Sequence, residues 1–203
     1  MVKSKVTDEP AAADAIELLK SEHQEVALLF DEFESADPAA QEDLAAEICQ
    51  KLTVHAQIEE EILYPAARDS LDADQADLVN EAEVEHDSAK DLIAKIEGMD
   101  SSDETYKATV KVLGEYVKHH VKEEETELFP LLQETDLDLD EMGIQLADRK
   151  VELLAELEAG GMDDDALESD DEDIADEVEE EVEIVVAKPA SKSNAGSKRA
   201  KQQ

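Results

Sequence analysis

The chain carries two copies of one histidine–glutamate motif. Residues 55–65 read HAQIEEEILYP and residues 120–130 read HVKEEETELFP. In each copy a glutamate follows the histidine by four residues, so in a helix the two polar side chains share a face. Imidazole and carboxylate together are ligands that iron, manganese and zinc accept. The first chemistry to consider is therefore metal binding.

A second, weaker repeat lies upstream of each motif. Residues 21–34 align with residues 84–97, and this places His23 and His86 at equivalent positions, each directly after a glutamate. Each half of the chain therefore holds a lone histidine and then an HxxxE motif, as two duplicated helical hairpins would. Such a duplication predicts a four-helix bundle with a pseudo-twofold axis.

The remaining signals place helices along most of the chain. Asp37 followed by Pro38 is typical of a helix start, Ser101 with Glu104 forms a capping box, and Gly98 suits a helix end. Aromatic residues make up only 3% of the chain, so strands are not expected. We predict an all-α fold: an up-down four-helix bundle with an additional C-terminal helix. The helices are expected at 11–35, 38–69, 73–98, 102–133 and 138–159.

Four of the five histidines lie on apolar faces of these helices. Leu19 and Val26, for example, lie one turn from His23. A lone buried histidine is usually explained by a hydrogen bond to a backbone carbonyl. A buried carboxylate is rarer, because an isolated anion in a core costs several kcal/mol or is neutralised by a pKa shift. Glu59 and Glu124 each follow such a histidine by one turn and should also face inward.

The apolar faces therefore converge on six candidate metal ligands. No lysine or arginine is repeated on these faces to neutralise the carboxylates, so a metal ion is expected to do so. The six are His23, His55, Glu59, His86, His120 and Glu124.

Over residues 14 to about 133 the sequence resembles the hemerythrin-like, or HHE, cation-binding family. The resemblance rests on EH at 22–23, HAQIEEEILYP, EH at 85–86 and HHVKEEETELFP. It implies an up-down bundle that holds a non-haem di-iron centre, with manganese or zinc as the alternative metals. The division of ligands that it implies is His23 with His120 on one iron, His55 with His86 on the other, and Glu59 and Glu124 as bridges.

One departure from oxygen-carrying hemerythrins bears on function. Those proteins are known for additional histidine ligands, including an HxxxH on the third helix. Here Lys90 follows His86 by four residues and Ala82 precedes it by four. Two histidines per iron would leave positions open to water or a small ligand. This favours reactive or regulatory use of the site over simple reversible oxygen carriage.

The expected function is that of a di-iron protein that binds, senses or scavenges oxygen, nitric oxide or peroxide. We expect a binding or sensing protein rather than an enzyme. A di-iron redox enzyme of the oxidase, peroxidase or iron-repair type is one alternative, and an iron storage or delivery protein is another. A homodimer or a redox partner protein is compatible with the sequence.

Other residues in and near the motifs are given ordinary roles. His119 is expected on the polar face, and Tyr116 in the core, with a place in the wall of a ligand cavity as the alternative. Tyr64 and Phe129 are expected to pack at the ends of the motif helices. The remaining glutamates of the motifs are expected on solvated faces; they are Glu60, Glu61, Glu123 and Glu125.

The 203 residues divide by composition. Residues 1–10 form an N-terminal extension, 11–135 the metal-binding bundle and 136–160 an accessory helix. Residues 163–183 hold 14 acidic and no basic side chains, whereas residues 188–203 hold five basic and no acidic ones. Residues 161–203 are therefore expected to form a mostly disordered tail.

Composition also argues against several classes of protein. The net charge of −39 would repel a polyphosphate backbone, so no nucleic-acid binding is expected. No apolar run approaches the length of a transmembrane helix, and the N-terminus lacks the apolar stretch of a signal peptide. The single cysteine, Cys49, cannot form an intrachain disulfide. We therefore expect a cytoplasmic protein with no membrane partner.

Overall fold

The computed structural model describes residues 14–160, which are helical apart from short connecting turns. The elements in chain order are α1 (Ala15–Ser35), α2 (Pro38–Ile58), the π-helical segment π1 (Glu59–Leu63), α3 (Tyr64–Ser70), α4 (Asp77–Glu97), α5 (Tyr106–Glu123), the π-helical segment π2 (Glu124–Leu128), α6 (Phe129–Gln133) and α7 (Leu139–Gly160). The predictions for 1–10 and 161–203 lie outside the described residues. Within residues 14–160, no helix combines the length and the apolar character needed to cross a membrane.

The helix ends follow the capping signals at two of three places. Oδ1 of Asp37 accepts the backbone N–H groups of Ala39 and Ala40, which fixes the start of α2. Gly98 terminates α4, as expected. The predicted capping box at Ser101 is wrong, because the Ser101 hydroxyl donates to Glu42 on another helix and α5 begins five residues later.

The four long helices form the predicted up-down bundle. Helix α1 packs along α2 and α4 along α5, and contacts of α2 with α4 and of α1 with α5 close the bundle. Short turns between successive helices leave each helix antiparallel to the one before it. Helix α7 lies across α1, α2 and π1 and buries Met142, Leu146 and Leu153.

Two apolar clusters fill the described part of the chain, and a polar layer separates them. One cluster includes Tyr64 and Phe129 near α7, and the other includes Phe33 and Leu113 toward the opposite end of the bundle. The polar layer consists of buried side chains, one histidine from each bundle helix and one glutamate from each π segment: His23, His55, His86, His120, Glu59 and Glu124. The bundle therefore positions six chemically active groups inside an apolar core.

Both π-helical segments begin at one of the predicted carboxylate ligands. The N–H of Tyr64 donates to the carbonyl of Glu59, and the N–H of Phe129 donates to that of Glu124, five residues earlier in each case. A proline follows immediately after both aromatic residues. Since proline lacks an N–H and crowds the carbonyl four residues before it, the wider turn accommodates it. The wider turn also brings residues five apart onto one face, so Tyr64 joins Glu59 in the interior.

Candidate metal centre

The four predicted histidine ligands meet in two pairs. Nε2 of His23 lies 3.1 Å from Nε2 of His55, and Nε2 of His86 lies 3.1 Å from Nε2 of His120. All four side chains are buried. The ring nitrogens that could bind a metal ion therefore face one another inside the bundle.

The two predicted carboxylate ligands lie between these pairs. Oε2 of Glu59 is 3.4 Å from Nε2 of one histidine of each pair, His55 and His86. Oε2 of Glu124 lies 3.4 Å from Nε2 of His23 and 3.5 Å from Nε2 of His120. Each carboxylate therefore touches both halves of the bundle, which is the arrangement a bridging ligand requires.

The histidine pairs differ from those that the family resemblance implies. Among the six predicted ligands, the donor atoms that lie within 4.8 Å of one another form two sets, which are His23, His55, Glu59 and Glu124, and Glu59, His86 and His120. A third set in the described residues, Glu85 with His119 and Glu123, lies at the surface and includes none of the six. Each histidine thus pairs with the histidine of its own hairpin, because α1 packs along α2 and α4 along α5. The family resemblance implies that His23 pairs with His120 and His55 with His86. The shortest Nε2–Nε2 distances instead join His23 to His55 and His86 to His120.

Three buried carboxylate oxygens have no hydrogen-bond partner among the described residues. They are both oxygens of Glu59 and Oε2 of Glu124, whose residues are 0% and 2% exposed. An ionised carboxylate removed from water without a partner is strongly unfavourable. A cation between these oxygens and the four imidazoles would satisfy all of them, so the donor set fits a metal centre.

In each of the four buried histidines, Nδ1, the outer ring nitrogen that faces away from the other histidine of its pair, lies within hydrogen-bond distance of a further glutamate. The Nδ1–carboxylate distances are 3.0 Å for His23 to Glu125, 2.7 Å for His55 to Glu22, 2.9 Å for His86 to Glu60 and 3.0 Å for His120 to Glu85. A carboxylate that accepts the Nδ1–H fixes the tautomer in which the Nε2 lone pair is directed toward a metal.

The prediction that Glu60 and Glu125 lie on solvated faces is wrong. Their side chains are only 28% and 33% exposed, and each reaches across the bundle to a histidine of the other hairpin. Glu22 and Glu85 hold the motif histidine of their own hairpin. Both halves carry an EH pair and an EE doublet at equivalent positions, so the repeat marks these glutamates, but it does not show which histidine each one contacts.

Tyr64 is also part of the centre, although packing alone was expected for it. Its side chain is fully buried, and its hydroxyl lies 3.0 Å from Oε1 of Glu124 and 3.2 Å from Nε2 of His86. The equivalent residue in the second half is Phe129, whose ring stacks on His23 with 5.9 Å between ring centroids. The two halves of the centre are therefore chemically different.

Neighbouring carboxylates favour the protonated form of three of the buried histidines in the metal-free chain. Burial lowers the pKa of His120, but the surrounding carboxylates, Glu124 first among them, outweigh burial and raise this pKa to about 9. The pKa values of His23 and His86 are raised against burial in the same way. A bound metal ion would therefore displace protons from this site.

Comparison with known proteins agrees with this geometry. The sequence profile of the hemerythrin HHE cation-binding domain matches residues 14–132. The chain belongs to the hemerythrin HHE cation-binding family. It is accordingly a metal-binding domain, with His and Glu clusters able to hold a metal.

Two individual proteins are similar to this HHE domain. A crystal structure of an HHE cation-binding domain-containing protein from Mycobacterium kansasii has the same fold, with a TM-score of 0.60, 24% identity, and coverage of 70% of this chain and 87% of that one. A protein named DNA nickase from Nostoc sp. is 31% identical over 119 residues, which is 58% of this chain. The match spans 33% of the length of that relative.

A small apolar cavity adjoins the candidate centre. It has a volume of about 40 Å³, and its wall contains all four predicted histidine ligands together with Val26, Ile93 and Val117. A space for one water molecule has roughly 10–15 Å³, so this cavity has room for a molecule of a few heavy atoms. Tyr116 also lines the cavity, but it is 49% exposed instead of lying in the core.

Two polar residues near the centre do not join it. Nζ of Lys90, at the position of the extra histidine in oxygen carriers, lies 2.7 Å from both carboxylate oxygens of Glu60. His119 is exposed, as expected, with its Nε2 3.2 Å from Oε1 of Glu123. Neither side chain adds a ligand to the inner set.

Proposed function

We propose that this HHE domain holds a di-iron centre, with manganese or zinc as the alternative metals, and uses it to bind oxygen, nitric oxide or peroxide. The ligands would be His23, His55, Glu59, His86, His120 and Glu124. The observation that carries the proposal is that three buried carboxylate oxygens, which have no hydrogen-bond partner within residues 14–160, lie beside the Nε2 atoms of four imidazoles.

Two ions, and not one, are supported by the grouping of the donors. Each histidine pair has its own Nε2–Nε2 contact, and Glu59 belongs to both sets of donor atoms. Two divalent cations would also bring four positive charges to the six carboxylates around the histidines, whereas a single ion would bring two. When bound, such a pair of iron ions supplies one-electron chemistry with small molecules.

Space beside the centre favours a small ligand. Each ion would have two histidines and shared carboxylates, and Lys90 does not supply a further donor. The cavity of about 40 Å³ limits the ligand to a few heavy atoms, and its apolar wall favours a neutral molecule over a strongly hydrated one.

The test is anaerobic reconstitution of the full chain with ferrous iron. Bound iron is counted, and the visible spectrum is recorded as air, nitric oxide or hydrogen peroxide is admitted. His120→Ala removes one inner ligand, and His119→Ala removes its exposed neighbour as a matched control. We expect two irons per chain and a ligand-dependent spectrum in the unaltered chain and in His119→Ala, with less iron in His120→Ala.

Three outcomes would contradict the proposal or a part of it. Absence of stoichiometric iron in the unaltered chain would remove the di-iron assignment. Two irons with a spectrum that does not respond to any of the three molecules would remove the ligand assignment and favour iron storage or delivery. Equal loss of iron in both histidine variants would show that His120 is not specifically required.

A redox enzyme is the second candidate, and Tyr64 is the observation that favours it. Its buried hydroxyl oxygen lies 3.2 Å from Nε2 of His86, within the predicted ligand set, and donates its proton to Oε1 of Glu124. Many turnovers of peroxide or oxygen per chain in the presence of a reductant would support an enzyme. A single stoichiometric reaction would support binding or sensing.

The remaining expectations on partners and compartment stay predictions. The nicking activity in the name of the Nostoc relative belongs to a protein of which this chain matches 33%, so it is not extended to this chain. We retain the expectation of a cytoplasmic protein without a membrane partner. We also retain the expectation of no nucleic-acid partner, because a net charge of −39 would repel a polyphosphate backbone.

A further inference from the structure

Helix α7 lies outside the residues that match the HHE family, yet two consecutive basic residues on it reach the vicinity of the candidate centre. Nζ of Lys150 lies 2.5 Å from Oε1 of Glu22. Nε of Arg149 lies 2.7 Å from Oε2 of Glu61 in π1. Of these two acids, Glu22 alone contacts a predicted ligand, because its Oε2 is 2.7 Å from Nδ1 of His55.

We propose that Lys150 is a positioning residue of the metal centre, acting through Glu22 on His55. The inference rests on the proposed metal function and extends the centre to a fifth helix. The contacts form a continuous chain from α7 to the inner ligand, Lys150 to Glu22 to His55, and each of the two carboxylate oxygens of Glu22 serves one neighbour.

Because Glu22 is buried, its carboxylate depends on Lys150 as a partner. Glu22 is 8% exposed, so water does not readily replace a lost partner. Removal of the ammonium group would leave Oε1 of this carboxylate poorly solvated, and the side chain would turn toward solvent to recover hydration. That movement would take Oε2 away from Nδ1 of His55 and free the imidazole to rotate.

The duplication supplies an internal comparison. Glu85 is equivalent to Glu22, and its Oε2 lies 3.0 Å from Nδ1 of His120. Its other oxygen lies 3.6 Å from the exposed His119 and has no lysine contact among the described residues. Lys150 therefore supports only the histidine pair that contains His55. Its loss should weaken the binding of one metal ion and leave the binding of the other unchanged.

The α7 packing is already secured by apolar residues, so Lys150 is not needed to hold the helix in place. Met142, Leu146 and Leu153 are buried against the bundle. A variant at position 150 is therefore expected to keep the fold. Arg149→Gln provides a matched control, because it breaks the neighbouring ion pair of the same helix without touching a histidine partner.

The experiment is titration of the metal-free full chain with Co²⁺ against a competing chelator, with the visible spectrum of the bound ion as a second readout. The variants are Lys150→Met, Lys150→Arg and Arg149→Gln. We expect one of the two ions in Lys150→Met to bind at least about tenfold more weakly, with an altered spectrum for that ion, as for other lost partners of a ligating histidine. Lys150→Arg should restore most of the affinity, and Arg149→Gln should match the unaltered chain.

Each result decides between the two proposals. Two ions bound by the unaltered chain, with the same affinities in Lys150→Met, would overturn the role of Lys150 and leave the metal function intact. Equal weakening in Lys150→Met and Arg149→Gln would also overturn it, since a general effect of α7 packing would then suffice. No stoichiometric Co²⁺ or Fe²⁺ binding by the unaltered chain would overturn both proposals together.

Discussion

The hydroxyl of Tyr64 lies 3.0 Å from Oε1 of Glu124 and joins the first half of the chain to the second. Both residues are buried, and Oε1 is the only oxygen of the two inner carboxylates, among the described residues, that has a hydrogen-bond partner. The contact depends on π1, whose additional residue turns Tyr64 toward the interior. Phe129 at the equivalent position offers no second hydroxyl, so the centre is asymmetric.

Tyr64→Phe should destabilise the metal-free chain. The substitution keeps the ring but removes the donor to a buried carboxylate, and a hydrogen bond to a charged group contributes about 1.5–3 kcal/mol. We expect the free energy of unfolding, measured by urea denaturation without metal, to fall by about 2 kcal/mol.

Tyr106→Phe is the matched control for this measurement. Tyr106 is also buried, but its hydroxyl makes no hydrogen bond to the described residues. Its substitution should leave the free energy of unfolding almost unchanged. Similar losses in the two variants would contradict the role given to the Tyr64 hydroxyl.

Glu60→Gln and Glu125→Gln should each weaken metal binding without preventing folding. An uncharged amide is a poorer acceptor for the Nδ1–H of His86 or His23, and loss of such a partner typically costs 10- to 100-fold in metal affinity. Competition between the protein and a chelator for Zn²⁺ measures the change. Glu127→Gln, an exposed position in π2, is the control and should retain full affinity. If all three variants bind equally well, these carboxylates do not orient the histidines.

The burial of the six candidate ligands could be predicted from sequence because their signal is local. A histidine and a glutamate four residues apart necessarily share a helical face, and the apolar residues around His23 and His55 indicate which face is buried. The duplication added a second, independent copy of the same pattern. The all-α bundle followed from this periodicity and was confirmed.

The partners of the outer nitrogens could not be predicted in this way, because each comes from a different helix. Glu125 and His23 are separated by 102 residues, so their contact depends on the rotation of α1 relative to the helix that contains π2. Glu125 lies next to Glu124, and an ideal helix would direct it about 100° away from the buried face. The π segments change the direction in which these side chains point. In the sequence, the only local sign of each π segment is the proline that follows it.

Metal binding should release protons near neutral pH. The neighbouring carboxylates raise the pKa of His120 to about 9 and also raise the pKa values of His23 and His86, so the metal-free site holds protons on nitrogens that a metal requires. Apparent Zn²⁺ affinity should therefore rise with pH. The part of this rise that is due to His120 should end above a pH of about 9, where His120 is already deprotonated.

Calorimetry in buffers with different ionisation enthalpies measures these protons. At pH 7.5 the observed heat of Zn²⁺ binding should vary with the buffer and correspond to at least about one proton per chain, because a group with a raised pKa is still protonated there. His119→Ala should give the same proton count, since His119 lies outside the inner set. A binding heat independent of the buffer would contradict the raised pKa of His120.

Val117→Phe should restrict the access of small ligands without removing metal. Val117 lines both the cavity of about 40 Å³ beside the four histidines and a surface groove of about 730 Å³ between α1 and α5, so it lies in the wall that the two spaces share. A phenyl ring in place of the isopropyl group would fill the cavity. A ligand entering the filled cavity would have to overpack it, at a cost of about 1–3 kcal/mol, which corresponds to a loss of roughly 5- to 150-fold in ligand affinity.

The measurement is anaerobic binding of nitric oxide to the iron-reconstituted chain, followed by visible absorption, with bound iron counted in the same sample. Val112→Phe places the same ring on the exposed side of α5, where Val112 is 46% exposed, and should leave nitric oxide affinity and iron content unchanged. Val117→Phe should keep two irons and lose nitric oxide affinity. If both variants bind nitric oxide with the affinity of the unaltered chain, the ligand does not occupy this cavity.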